Sequence, residues 1–196
     1  MIAIVDYGAG NLHSVKKAFD YLGAEVVVTN QPATITAADK IVFPGVGHFS
    51  SLQVLEPTGL RAALLRGASS GKPFLGICVG MQWLFEGSEE SPEVRGAGIF
   101  PGMCRQFPSH VKSPHVGWNS LAIQAGSRLL RGIAQQSYVY YTHSFHAPVV
   151  ASMSAATDYG LCFAGAVEQA NIFAVQFHPE KSGDVGLSIL KNFCEV

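Results

Sequence analysis

The chain has 196 residues, 48% hydrophobic and 14% charged, which suits one well-buried domain spanning 1–196 and leaves too little chain for two separate cores. Lys and Arg number 13 against 14 Asp and Glu, a formal charge of −1, so no global field gathers nucleic acid or an anionic membrane surface, and any partner is recognised locally. Cys78, Cys104, Cys162 and Cys194 form no C-x-x-C pair and no metal-ligand spacing, and the first apolar run, Ile2 to Val5, stops at Asp6, an expectation of a cytoplasmic protein without metal or cofactor.

Ile2-Ala3-Ile4-Val5 reads as a strand ending at Asp6-Tyr7-Gly8-Ala9-Gly10, after which Asn11 can cap a helix. That helix places Leu12, Val15, Phe19 and Leu22 on one face, and Gly23 is its stop. The glycines after a strand invite a dinucleotide-loop reading, but His13 stands where a third glycine is needed, so that reading fails. Val26 to Val28 is a second strand; Ile41-Val42-Phe43 is a third, ending at Pro44-Gly45-Val46-Gly47. A helix covers Leu60 to Leu65, and Phe74 to Ile77 is the fourth strand.

Strands alternating with helices predict an α/β fold, a mostly parallel central sheet with helices on both faces, with ligands at the carboxyl edge. From about Gly96 to Val175 short β-rich pieces replace this pattern, among them Tyr138 to Thr142, Leu161 to Val167 and Ile172 to Gln176. They predict an antiparallel extension of the sheet. The chain returns to helix after Gly183-Asp184, with Val185, Ile189, Leu190 and Phe193 on one face.

The most informative segment is Phe74-Leu75-Gly76-Ile77-Cys78-Val79-Gly80-Met81-Gln82, which joins a buried strand to a helix through Gly-x-Cys-x-Gly. This is the cysteine counterpart of a nucleophile elbow: the glycines let strand and helix approach, and the sharp turn exposes a strained nucleophile. A helix start also favours thiolate over thiol. A free cysteine is otherwise commonly a buried small hydrophobe, and Cys104, Cys162 and Cys194 take that reading. Downstream, Val175-Gln176-Phe177-His178-Pro179-Glu180 separates a base from a carboxylate by one residue after an apolar strand. Period-two geometry puts both side chains on one side, and Pro179 biases His178 to an extended backbone. His178 can then take the cysteine proton while Glu180 orients it.

The elbow with Gln82, joined to Gln176-Phe177-His178-Pro179-Glu180, resembles the class I, or triad, glutamine amidotransferases. Asp6 to Asn11, Pro44 to Gly47, Pro114-His115-Val116-Gly117-Trp118-Asn119 and His178 to Ser182 extend the likeness over nearly the whole chain. The resemblance implies a flavodoxin-like domain in which Cys78 attacks the carboxamide of glutamine, ammonia leaves, and water hydrolyses the thioester. It implies His178 as base and then acid, Glu180 as its orienting partner, and oxyanion donors at Val79 and along Gly45, Val46 and Gly47, where a peptide can reorient. Gln82, one helical turn from Cys78, and Glu90 are implied in glutamine selection, together with His143, Ser144 and Phe145, which act largely through backbone groups. His143 and His115 also have a plain reading as hydrogen-bonded histidines.

The family implies a partner as well: a cyclase (synthase) subunit, built as a (β/α)₈ barrel, that consumes the ammonia in a heterodimer. Asn11, Trp118 and Lys181 fall on the side facing that subunit, although each has a plain reading, as a cap, a core aromatic and a solvated lysine. Alternative readings are a paralogous glutaminase feeding another acceptor, such as a sugar-nucleotide amination enzyme, and a stand-alone cysteine hydrolase. Gln82, Glu90 and the Pro114 to Asn119 segment speak against the hydrolase.

Overall fold

The computed structural model describes all of residues 1–196. In chain order its strands are β1 Ile2–Val5, β2 Val26–Thr29, β3 Lys40–Gly45, β4 Phe74–Cys78, β5 Gly87–Ser88, β6 Met103–Gln106 and β7 His115–Ser120. These are followed by β8 Ala122–Ile123, β9 Tyr138–His143, β10 Phe145–His146, β11 Met153–Asp158, β12 Cys162–Gln169 and β13 Ile172–Val175. The α-helices are α1 Leu12–Tyr21, α2 Pro32–Ala37, α3 Leu60–Ser69, α4 Val79–Trp83 and α5 Gly183–Glu195, with 3₁₀ segments at Phe49–Leu55 and Pro179–Lys181.

Eight strands form the central sheet in the order β2-β1-β3-β4-β13-β12-β11-β8. The first five are mutually parallel, the flavodoxin-like order in which the chain reverses direction of travel beside β1 and opens a crevice at the carboxyl edge. Strands β3 and β4 are wholly or nearly wholly buried, as expected where helices cover both faces. α1 packs with α5 on one face, where Phe193 meets Phe19 and Phe173 at ring separations of 6.3 and 6.1 Å. α2 packs with α3. One contiguous apolar cluster of 50 buried residues runs through all of these layers.

Several sequence expectations need correcting. Ile172–Val175 does not belong to the antiparallel extension alone: β13 pairs parallel with β4 and antiparallel with β12, so it is the seam between the two halves. Strand β3 continues through Pro44 and Gly45, which pair with Ile77 and Cys78. Proline is tolerated there because β1 pairs no further than Val42, leaving β3 an open side. Asn11 occupies the N-cap position of α1, but its φ of −87° and ψ of 57° leave the extended region, and its side chain makes no capping bond. The helix stop at Gly23 holds, at φ +72°. Cys104 is buried and Cys194 half-buried, whereas Cys162, at the start of β12, is exposed. All four cysteines are free. No helix is long and apolar enough to cross a membrane.

Candidate active site

Cys78 ends β4 and begins α4 at φ 54° and ψ −110°, a conformation that costs a non-glycine residue about 1–3 kcal/mol and persists only when its surroundings enforce it. The surroundings here are two glycines. A Cβ on Gly76 would lie 2.8 Å from the Gly80 carbonyl oxygen, and one on Gly80 would overlap the Phe43 carbonyl oxygen. Removing both side chains lets the chain fold back on itself and on β3. α4 is only five residues long, so the strand-to-helix turn itself, more than a long helix dipole, presents the sulfur.

The pairing of Gly45 with Cys78 brings the end of β3 beside the elbow. A Cβ at Gly45 would lie 2.5 Å from Tyr7 Oη and 2.8 Å from Val79 Cβ, so glycine is required for packing. Gly47 differs: it sits at φ +87° with open space around its Cα, so its requirement is conformational. A small cleft of about 40 Å³ opens at this point, lined by Gly47, Cys78, Val79, Gln82, Glu90, Thr142, His143, Ser144 and Phe145. Every residue anticipated for glutamine selection therefore borders the same cleft as Cys78; Gly45 and Val46 stand behind Gly47.

Gln82 is 2% exposed, and its Nε2 donates to the Phe145 carbonyl at 2.8 Å and to Gln176 Oε1 at 3.1 Å. Gln176 in turn points its Nε2 at Cys78 Sγ, 3.7 Å away. The Thr142 carbonyl lies 4.0 Å from the same sulfur. Glu90 accepts from the Phe49 backbone N–H at 2.7 Å, while Glu89 is exposed beside Arg105, as a solvated carboxylate should be. Gln176 opens the Gln176-Phe177-His178-Pro179-Glu180 motif, and its role emerges from the fold. Its signal was a lone amide between Val175 and Phe177 in an otherwise apolar strand, since a polar side chain buried there must find partners.

His178 and Glu180 come from the segment that follows β13. Their pairing is real, with Nδ1 to Oε1 at 2.9 Å and both side chains 1% exposed. The route to it is not the extended strand expected: β13 ends at Val175, His178 is extended, and Pro179 starts a 3₁₀ turn that carries Glu180 back towards the ring. Burial alone would lower the pKa of His178; its interactions with Cys78 and Glu180 outweigh it and push the imidazole up to about 10. Nε2 of His178 and Oε2 of Glu180 have no hydrogen-bond partner. The raised pKa favours the imidazolium, whose Nδ1–H is committed to the Glu180 carboxylate.

Trp118 is 55% exposed on β7, against the ordinary expectation of burial. Its ring meets Tyr140 at 6.0 Å, and Lys181 Nζ lies over the Tyr140 ring, 5.9 Å from its centroid. The Tyr140 carbonyl accepts the backbone N–H of His178 at 2.9 Å, so this surface row is anchored to the site. Asn11 is half-buried at the start of α1, which packs on the turn that carries Glu180 and Lys181.

The parallel order β2-β1-β3-β4-β13 brings the Cys78 elbow to the carboxyl edge of the sheet, and the chain belongs to the class I glutamine amidotransferase family, whose model matches residues 3–196. It is 50% identical to imidazole glycerol phosphate synthase subunit HisH of Methanothermobacter thermautotrophicus, over 100% of this chain and 98% of that protein. The subunit of the same name from Chlorobium luteolum is 46% identical, with both chains covered in full. A solved glutamine amidotransferase structure superposes with a TM-score of 0.77 at 16% identity, over 99% of this chain and 100% of that one, a likeness of fold.

Proposed function

We infer that this chain is the glutaminase subunit of imidazole glycerol phosphate synthase, hydrolysing glutamine to glutamate and ammonia for a cyclase subunit in histidine biosynthesis. The observation that carries the reading is full-length identity of 44–50% to subunits of that name, together with Cys78, Gln82, Glu90 and Phe145 around one cleft.

In the proposed mechanism the Cys78 thiolate attacks the carboxamide carbon, and the negative charge that develops on the oxygen is met by the Val79 N–H and by the strand end at Gly45, Val46 and Gly47. Such donors act best when fixed beforehand, which is where a reorienting glycine peptide gives control. His178 gives its free Nε2 proton to the departing nitrogen; the C–N bond breaks, ammonia leaves and a thioester remains. His178, now neutral, takes a proton from water, whose oxygen attacks the thioester, and glutamate departs as the thiolate is restored. Glu180 holds Nδ1–H throughout, which fixes the tautomer. Gln82, Glu90 and the backbone of His143, Ser144 and Phe145 select glutamine.

The ammonia is used in trans. The reading places a cyclase subunit, HisF, a (β/α)₈ barrel, against the face bearing Asn11, Trp118 and Lys181 in a heterodimer. Glutamate release is measured for the chain alone, with the cyclase, and with the cyclase and its nucleotide ligand. Low activity alone, strong stimulation by the liganded cyclase and complete loss in Cys78→Ala are expected. Rapid turnover without a partner, or stimulation by an unrelated amination enzyme in place of the cyclase, would overturn the reading.

A further inference from the structure

At the cleft wall and behind it lie two histidines, His143 and His115, whose side chains the proposed chemistry leaves unused. His115 is 3% and His143 7% exposed, and the His115 ring is sandwiched between Tyr159 and Tyr141 at centroid distances of 3.9 and 4.8 Å, nearly parallel to both. Phe107 closes the cluster against both imidazoles.

The hydrogen bonds of the pair fix both tautomers. His143 Nδ1 faces the Phe145 carbonyl at 2.9 Å, and since a carbonyl only accepts, Nδ1 carries the proton. Its Nε2 is then an acceptor, 3.0 Å from His115 Nδ1, which must donate. His115 Nε2 in turn accepts from Asn119 Nδ2 at 3.4 Å. This directional assignment requires both rings to be neutral, and burial lowers their pKa, to about 4 for His115 and about 3 for His143. The chain of donors does not stop at Phe145. The same carbonyl also takes the Gln82 amide, and Gln82 and Gln176 continue to Cys78 Sγ.

We propose that His115 and His143 are positioning residues for the glutaminase reaction: a neutral, one-directional imidazole pair that holds the Phe145 carbonyl and so sets the Gln82 amide at the wall of the glutamine cleft. Two donors converge on that carbonyl. Losing the histidine donor leaves the carbonyl held by Gln82 alone, so that both can shift together in a cleft of about 40 Å³, where a small displacement changes which ligand fits. The assignment rests on the glutaminase reading given above.

The test is a kinetic split in the complex with the liganded cyclase, comparing wild type, His115→Phe, His143→Phe and His143→Asn. Phenylalanine keeps the ring and removes the bonds; asparagine keeps a donor for Phe145. A purely structural role would lower the folded fraction, reducing apparent kcat at unchanged KM. Positioning instead predicts a KM for glutamine raised about tenfold or more in both Phe variants, with His143→Asn recovering most of the loss. Unchanged KM in folded Phe variants overturns the proposal. Should neither fold, nitrogen-15 spectra of the wild-type rings decide it: two neutral Nδ1–H tautomers at pH 7 support the relay, and an Nε2–H tautomer or an imidazolium on either ring refutes it. An inactive wild-type complex would instead indict the glutaminase reading itself.

Discussion

His178 Nδ1 and Glu180 Oε1 stand 2.9 Å apart in a setting where both side chains are 1% exposed. A carboxylate so enclosed acts on its partner with little screening. Glu180→Gln keeps the shape and removes the charge. It should lower kcat on the order of 10⁴-fold, the loss seen when the carboxylate that orients a triad histidine becomes an amide. NMR titration of His178 should show its pKa fall from about 10. An unaltered titration would show that Glu180 holds the ring by geometry alone.

The histidines give the stability curve two opposed limbs. His178 is raised from 6.5 to about 10, so between those values the folded state holds a proton that the unfolded state has lost; its contribution is full below 6.5 and disappears as pH climbs towards 10. His115 and His143 are depressed, to about 4 and about 3, so their contribution is full above 6.5 and lost as pH falls through those values. Urea midpoints should peak near neutrality. Cys78→Ala should flatten the alkaline limb and His143→Phe the acid limb, each leaving the other unchanged.

The glycines near the elbow should separate by mechanism. Gly80→Ala meets the Phe43 carbonyl and should cost about 3 kcal/mol or more, since backbone cannot yield as a side chain can. Gly47→Ala meets nothing and should cost about 1–2 kcal/mol through its left-handed conformation alone. Thermal melts give the ranking; equal costs would contradict it. Gly47→Ala should also alter the stimulation by the cyclase, which the same preparation can report.

Strain at Cys78 is open to direct measurement. At φ 54° and ψ −110° a Cβ is unfavourable, so Cys78→Gly should be more stable than Cys78→Ala by about 1 kcal/mol or more. Both variants are inactive, which makes chemical denaturation the only readout needed. A less stable glycine variant would mean that the elbow holds no such energy.

Trp118→Ala should weaken association with the cyclase by at least about 1 kcal/mol, or fivefold in Kd, as expected for an exposed aromatic at an interface. The melting temperature of the isolated chain should barely move, because 55% of the residue is already in water. Calorimetric titration against the cyclase separates the two effects; a large drop in melting temperature at unchanged Kd would return Trp118 to a structural role.

Local patterns carried the parallel half of the fold and the elbow, because a strand, two glycines and a cysteine within seven residues leave few alternatives. His178 and Glu180 were legible as a pair for a reason that proved only half right: Pro179 does keep His178 extended, but it then opens a 3₁₀ turn. The switch from parallel to antiparallel at β13 was hidden, since an apolar strand buried on both faces looks the same in either orientation. His115 and His143 are hydrogen-bonded, as their plain reading had it, but the partners of Gln176, of Thr142 and of these two were hidden for a different reason. Those partners lie 98, 64 and 28 positions away, and hydrogen bonds over such separations leave no periodic trace in the chain.

The register that sets Gly45 opposite Cys78 also governs how this gene can drift. The connection between β3 and β4 can change length only beyond Phe49, because Gly47 borders the cleft and the Phe49 N–H holds Glu90. A single codon inserted within either strand would slide one partner past the other by a residue and turn alternate side chains to the opposite face. The segments 40–45 and 74–78 should therefore tolerate exchange of one apolar residue for another while remaining constant in length across lineages.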